Sequence, residues 1–512
     1  MSSTILLQKE KLLPIPAAGA AIGMAASYYT YPFLVSLKPG YYLVFALLLG
    51  LMLAVSLIRV LKFFPGEKNK ALLKIGILTV AAAVGFSLGI AGRKNVNAAP
   101  DFGLQPDSII AVSGILRSDP RTLHGGSGMG SLELSGTSAQ GGLRASASGI
   151  ITVFFPAWSI PGLAEFGRGS EIYVDGRLTQ KETSYLFNAS SVHIVKGAGA
   201  LERLRTSLRM KLLEKFQSRQ DGKYSDGAAP VWGPLASALL LGMRDDLDVD
   251  LAEGFRNSGC AHILVLSGMH LAVLSGLLAF LLRRPLGIRF ATLAGALFVI
   301  VYVFIAGSQP SLVRSAIMYL IGAVSLWGFL KSRPFSLLCM AFIIQLIFQS
   351  ETGMTLSFIL SYLALAGILT LGATLRNLLR GRLPEIISGT FSASVGAFVF
   401  TAPVVVFYFG SLKPIGIITS ILAGPLSALF MVLSLMALAA SFLPLPLWTF
   451  FDFILTLVYR AFEFTVSVLG KVPGLSISNP APVLVFSLLF WLAILFIQRR
   501  DYGRRNSIAS FD

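Results

Sequence analysis

The chain has 512 residues, 54% of them hydrophobic and 13% charged, with a mean hydropathy of +0.74 and a formal net charge of +17 at pH 7. Soluble domains carry roughly a quarter charged residues, so this composition excludes a water-soluble protein and requires many membrane spans. The positive balance fits two readings: basic loops on the cytoplasmic face of a membrane, or attraction for a polyanion such as nucleic acid. The two cysteines, Cys260 and Cys339, both lie inside apolar runs, which leaves no disulfide framework and no cysteine zinc site.

Three apolar runs come first, at about 12–37, 41–61 and 72–92, each long enough to cross a hydrocarbon core. Lys9 and Lys11 precede the first, and Arg59, Lys62, Lys68, Lys70 and Lys74 follow the second. Basic loops stay inside, so residues 1–96 form a three-span region with a cytoplasmic N-terminus and an exit outside near Arg93. From 97 to 197 the character changes. Short β-branched runs at 107–116, 149–155, 171–178 and 185–195, separated by Gly, Ser and Pro, predict strands. The Gly/Ser-rich stretch 125–147 predicts a mobile loop. Four or five such strands in about a hundred residues predict a small all-β, OB-like barrel outside the membrane. Barrels of that kind hold single-stranded nucleic acid on aromatic platforms, and Phe154, Trp158 and Tyr173 are candidates here. The same rings serve equally as barrel core or membrane-surface contacts.

Residues 201–216 place Leu201, Leu204, Leu208, Leu212 and Leu213 on one face and Arg and Lys opposite. This predicts an amphipathic linker helix within 198–230, laid flat on the membrane. The apolar run 230–243 is too short to span. In the second membrane region, 231–498, apolar runs recur at about 260–282, 288–307, 311–330, 335–349, 354–373, 389–409, 414–443, 446–469 and 481–497. Arginines and lysines cluster at 283–289, 331–333, 376–382 and 499–505, in alternate loops. Three spans before the barrel and nine after it, about twelve in all, put every cluster inside, together with the basic tail 499–512. The predicted fold is therefore a polytopic α-helical protein of the cytoplasmic membrane, both termini inside, with one inserted extracytoplasmic β domain.

Several polar groups interrupt the apolar runs. His262 and His270 stand beside Ser258 and Ser267 in the run that opens the second membrane region, just after Arg256. An imidazole within a membrane-length run is costly unless it faces protein or water, so such residues read as functional. Arg314, about one turn after Pro310, must snorkel, pair or line a wet cavity. Ser357, Ser361 and Tyr362 form a polar stripe of the kind that also glues helices, and Asp452 and Glu463 interrupt the penultimate span near Arg460. The acidic group Asp245, Asp246, Asp248, Asp250 and Glu253 followed by two histidines invites a metal site. Against it, the histidines are eight residues apart, about 80° round a helix, and acids before a helix favour its dipole. A hydrolase using Ser267 and His270 is a further alternative, without a G-x-S-x-G elbow or an obvious orienting acid. A small-anion transporter would show inverted repeats, and none is convincing.

Taken as motifs, the stretch joins Leu240, Leu241, Gly242 and Arg244 to Phe255, Arg256, Ser258 and Gly259, then to His262, Ser267, Gly268 and His270. Weaker companions are Gly307, Pro310, Arg314 and Ala316; Leu356, Ser357, Phe358 and Gly367; and Thr401, Pro403, Phe407, Gly410, Leu422 and Pro425. This string resembles the ComEC family of competence proteins, the channels for DNA uptake, over nearly the whole chain. The resemblance implies passage of single-stranded DNA across the cytoplasmic membrane in natural transformation, by a channel and not an enzyme, with no metal or cofactor. It offers Arg256, Ser258, His262, Ser267, His270, Arg314 and Ser357 as the wall of the DNA path. Implied partners are single-stranded DNA, membrane lipids, a DNA receptor and a cytoplasmic translocase, with a homodimer left open. Cys260 stands where the family usually has Thr, and Ser420 where Asn is common. Family members often add a metallo-β-lactamase-like domain. No H-x-H-x-D-H occurs in these residues, so strand degradation is expected from another protein.

Overall fold

A computed structural model describes residues 20–26, 28, 81–82, 84–85, 100–119, 121–122, 127–156, 167–181, 184–217, 231–244, 246–328, 333–441 and 448–508. Most of the three spans expected before residue 97, with Trp158, Asp245 and the stretch 218–230, lie outside the described residues. The chain divides into two compact units, one holding residues 97–247 with 304–306 and the other the rest of the chain.

The first unit is built on a closed sheet. Its strands are β1 (Ile109–Leu116), β2 (Arg121–Thr122), β3 (Gly128–Ala139), β4 (Arg144–Ser146), β5 (Ile150–Phe155), β6 (Glu171–Lys181) and β7 (Ser184–Lys196). β1 pairs with both β3 and β6, β6 with β7, β7 with β5 and β5 with β3, which closes a ring. Every pairing in that ring is antiparallel except β5 with β7, which run parallel. β2 and β4 add short extensions to β3. Alternate residues point inward, and Val112, Leu132, Val153, Phe155, Ile172, Val174 and Phe187 fill the barrel without exposure.

The stretch expected to be a mobile loop is instead the most heavily bonded strand. β3 runs through its first half, and Gly128, Gly130, Leu132 and Leu134 alternate into the core. Its glycines and serines leave little side-chain bulk between β3 and the strands on either side, and two inward leucines suffice to set the register.

The helix α1 (Ala200–Gln217) forms where the leucine periodicity predicts it, but its arginines do not all face outward. Arg205 is 4% exposed and pairs with Asp119 and, at 2.8 Å, with Glu202. Arg209 reaches the same Asp119 at 3.0 Å. The helix is thus stapled to the barrel by charge, while Leu201, Leu204 and Leu208 remain exposed. A short, almost wholly buried helix, α2 (Gly233–Leu241), ends on Gly242 in the left-handed conformation (φ 73°).

The second unit is helical. α3 (Val249–Asn257) starts on Asp248, whose carboxylate accepts the Asp250 N–H at 2.9 Å, so that part of the acidic run is a helix cap. Then follow α4 (Gly268–Ala306), α5 (Pro310–Trp327), α6 (Pro334–Phe348) and α7 (Leu356–Gly367). A π-helical turn at Ile368–Gly372 continues α7 into α8 (Ala373–Leu379). The last helices are α9 (Glu385–Phe409), α10 (Gly416–Ala440), α11 (Trp448–Leu469) and α12 (Ala481–Ile508). Among the described residues α4, α5, the continuous α7–α8, α9 and α10 are long and apolar enough to cross a membrane.

Two differences from the sequence reading concern α4. The apolar run was expected to be helical from residue 260, yet the helix begins only at Gly268. Residues 258–267 are irregular, apart from a 3-10 turn at Ala261–Ile263. The second difference is a reversal inside α4. A Cβ on Gly268 would meet Ser315, and one on Gly295 would meet the Tyr319 ring, positions only one turn apart on α5. A straight helix would separate residues 268 and 295 by about 40 Å. The chain therefore reverses between them, at Gly287 (φ 76°), directly after Arg283, Arg284 and Pro285.

Candidate functional site

The site is assembled around the irregular stretch that joins α3 to α4. α3 is anchored by Phe255, fully buried, with its ring 5.8 Å from that of Phe462 on α11. Gly259 takes φ 75°, and a side chain there would lie 3.0 Å from the Gly416 Cα at the start of α10. A Cβ on Gly416 would in turn meet the Gly259 carbonyl at 2.8 Å. This close backbone contact explains why the motif places glycine after Ser258: only glycine combines that φ with that proximity. Lys413, from the loop before α10, donates to Asn257 Oδ1 at 2.9 Å. Arg256 beside it is exposed.

Ser258 is completely buried, its hydroxyl 3.3 Å from the Phe255 carbonyl and 3.0 Å from Cys260 Sγ. Its environment is that of a residue closing a helix. His262 differs, since its side chain is exposed.

His270 is fully buried in the first turn of α4. Its Nδ1 accepts the Ser267 backbone N–H at 3.2 Å and lies 2.9 Å from Ser267 Oγ. A nitrogen that accepts a backbone N–H carries no proton, so the neutral ring is protonated on Nε2. The two residues do not act from neighbouring faces of one helix: Ser267 is the N-cap and His270 folds back on it. This contact is local capping, the geometry that also produces the short Ser–His distance.

Arg314 completes the site from α5. It is 7% exposed, so it does not snorkel. One guanidinium nitrogen donates to the Ser361 carbonyl on α7 and another reaches Ser315 Oγ at 3.4 Å, while the group lies 5.8 Å from the Tyr362 ring centroid. A Cβ on Gly268 would stand 2.5 Å from Ser315 Oγ and 3.1 Å from Arg314 Nη2, so the N-terminus of α4 rests directly on this pair. Ser311 Oγ donates to the Leu266 carbonyl at 2.5 Å, tying α5 to the irregular stretch. Gln345 on α6 donates to the Pro310 carbonyl at 3.1 Å and accepts from the Tyr362 hydroxyl at 2.9 Å.

A continuous polar belt thus crosses α4, α5, α6 and α7. It sets Arg314 against Gly268, next in sequence to the Ser267–His270 cap, with Ser357 half-buried one turn before Ser361 on α7. Ser311, Ser315 and Gln345 were not singled out from sequence. The available signal was a lone amide in the apolar run PFSLLCMAFIIQLIF, and two hydroxyls flanking Arg314. Among the described residues no three His, Cys, Asp or Glu side chains lie close enough to share a metal ion.

The barrel aromatics are not brought together. Phe154 and Tyr173 are half-buried on outward positions of β5 and β6. Through β7, Phe154 aligns with Asn188 and Tyr173 with His193. Those β7 positions are five residues, or about 17 Å, apart. The two rings form no common stacking surface.

The fold and the site define a multi-pass helical membrane protein that carries a β domain and buries a charged polar belt beside an irregular, helix-interrupting stretch. The chain belongs to the ComEC family of competence proteins: the family model described as "Competence protein" matches residues 239–501, the region that holds the whole belt. ComE operon protein 3 of Bacillus subtilis (strain 168) is 26% identical over 287 residues, which is 53% of this chain and 35% of that protein. An uncharacterized protein of Aquifex aeolicus (strain VF5) is 28% identical over 314 residues, 59% of this chain and 69% of its own length. The matched region is thus about a third of the Bacillus protein's length. No solved structure is detectably similar.

Proposed function

We propose that this protein takes part in DNA uptake during competence, as a channel that carries single-stranded DNA across the cytoplasmic membrane. The observation that carries the reading is the buried belt. A guanidinium, an imidazole, an amide and several hydroxyls converge from four helices in a unit whose outer surface is apolar. Such groups are expensive in a membrane unless they line a wet path, and a strand with one charge per nucleotide needs such a wall. Family membership and the likeness to ComE operon protein 3 support the same conclusion. The belt residues Ser267, His270, Arg314 and Ser357 form the wall, with exposed His262 and Arg256 toward its mouth. Buried Ser258 serves the turn after α3 and stays out of the wall.

The closed barrel is read as an OB-type domain outside the membrane, because its five principal strands close through a single parallel pairing. Its place is to meet the strand before entry, along with a DNA receptor, and a cytoplasmic translocase draws the strand inside. Uptake of labelled DNA into a strain deleted for this gene tests the whole reading. The expected result is loss of internalised DNA and its return with the wild-type gene. Unchanged internalisation in the deletion strain contradicts it.

A further inference from the structure

The Arg314 guanidinium is a buried cation. No carboxylate contributes to its surroundings among the described residues, and its Nε–H has no hydrogen-bond partner there. It nevertheless lies against the N-terminus of α4, where a helix presents about half a positive charge. The first N–H groups of α4, at Gly268 and Met269, have no acceptor within the helix. Two positive groups, both buried, lie side by side. An oxyanion there would satisfy the free Nε–H, the terminal N–H groups and both charges at once.

We propose that Arg314 and the N-terminus of α4 form a binding site for one phosphodiester phosphate of the passing strand, an assignment that rests on the DNA-uptake reading above. Gly268 is what makes the site. With a side chain there, Ser315 and the guanidinium would be displaced, since a Cβ would lie 2.5 Å from the former and 3.1 Å from the latter. Ser267 and His270 hold the helix terminus in place through their mutual cap. The site reads backbone and not base, which suits a channel indifferent to sequence.

The test uses the full chain in nanodiscs of neutral phosphatidylcholine, wild type against Arg314→Met, with Arg314→Lys and Gly268→Ala as further variants. Fluorescence anisotropy follows a labelled oligo(dT) and the same oligonucleotide with uncharged methylphosphonate linkages, and thermal unfolding is recorded with and without inorganic phosphate. The expected result is binding of the phosphodiester strand about tenfold tighter to wild type than to Arg314→Met. The slope of log affinity against log salt becomes shallower by about 0.7 in that variant. Arg314→Lys keeps part of the affinity, and Gly268→Ala loses it. Inorganic phosphate stabilises the wild type alone, and without phosphate Arg314→Met melts no lower than wild type, because an uncompensated buried charge has been removed. Equal responses of wild type and Arg314→Met to phosphate and oligonucleotide would overturn the site. An Arg314-dependent stabilisation seen only on adding anionic phosphatidylglycerol, without a response to oligonucleotide, would make the occupant a lipid headgroup and overturn the strand assignment. Should Arg314-dependent phosphate binding hold while cells carrying Arg314→Met take up DNA normally, the anion site stands and the DNA-passage reading fails.

Discussion

Two buried arginines separate the two units of this molecule. In the barrel unit Arg205, 4% exposed, meets Asp119 and Glu202, and Arg209 shares the same Asp119. In the helical unit Arg314, 7% exposed, meets a carbonyl, a hydroxyl and a ring face. Burial is alike and compensation is opposite. A guanidinium closed off by carboxylates does structural work, since its charge is spent within the fold. Arg314 has no carboxylate partner among the described residues, and on the proposed reading a charge from outside the fold balances it. Burial alone therefore does not separate the two arginines; among the described residues the counter-charge does.

That contrast is open to direct tests. Arg314→Met is expected to lower internalised DNA on the order of a hundredfold, with the protein inserted at normal levels, as measured by uptake of labelled DNA and membrane immunoblotting. In the barrel unit Asp119→Asn leaves two guanidinium groups facing each other. A loss of about 2–3 kcal/mol is expected, below the figure for a fully buried pair because Asp119 is partly exposed; thermal unfolding and protease cleavage at α1 report it. Gln345→Leu removes the hydrogen bonds to the Pro310 carbonyl and from the Tyr362 hydroxyl, for an expected loss of about 1–2 kcal/mol in the melting of the helical unit. Ser267→Ala separates capping from nucleophilic chemistry. It should cost about 1 kcal/mol of stability and lower uptake by a few-fold through the loosened helix terminus, whereas abolished function with an unchanged melting curve would favour a hydrolase. The smallest effect is expected at Ser258, where replacement by Ala should change uptake by less than about threefold, since its hydroxyl serves only the turn after α3.

Much of the helical unit was legible from sequence, because a span announces itself by the length of its apolar run. The runs at 311–330, 389–409 and 414–443 correspond closely to α5, α9 and α10. Strands β1, β5, β6 and β7 were legible from their β-branched alternation. β3 was not, because glycine and serine say loop unless the pairing partners are known, and three of those partners lie elsewhere in the chain. The start of α4 was hidden for a related reason. Hydropathy reports that Cys260–Ser267 are apolar, not that Gly259 must turn against Gly416, 157 residues away in sequence, before a helix can begin. Within the site, His270 and Arg314 stood out as polar groups in apolar runs. The contact of Arg314 with Gly268 did not, since it depends on how α4 and α5 pack. Asp119 as the partner of Arg205 was invisible for the same reason: an ion pair between residues 86 apart leaves no periodic trace.

The most direct test of a polar conduit is to catch a strand inside it. Single-stranded DNA with thiol-reactive phosphorothioate adducts would be stalled during uptake in cells carrying His262→Cys or Ser357→Cys, and in controls with Phe453→Cys or Leu457→Cys on the exposed apolar face of α11. Native Cys260 and Cys339 are both buried, and replacing them with Ala removes background. Cross-links at 262 and 357 with none at 453 and 457 is the expected result. Cross-links at the α11 positions, or at none of the four while DNA still enters, would contradict the conduit.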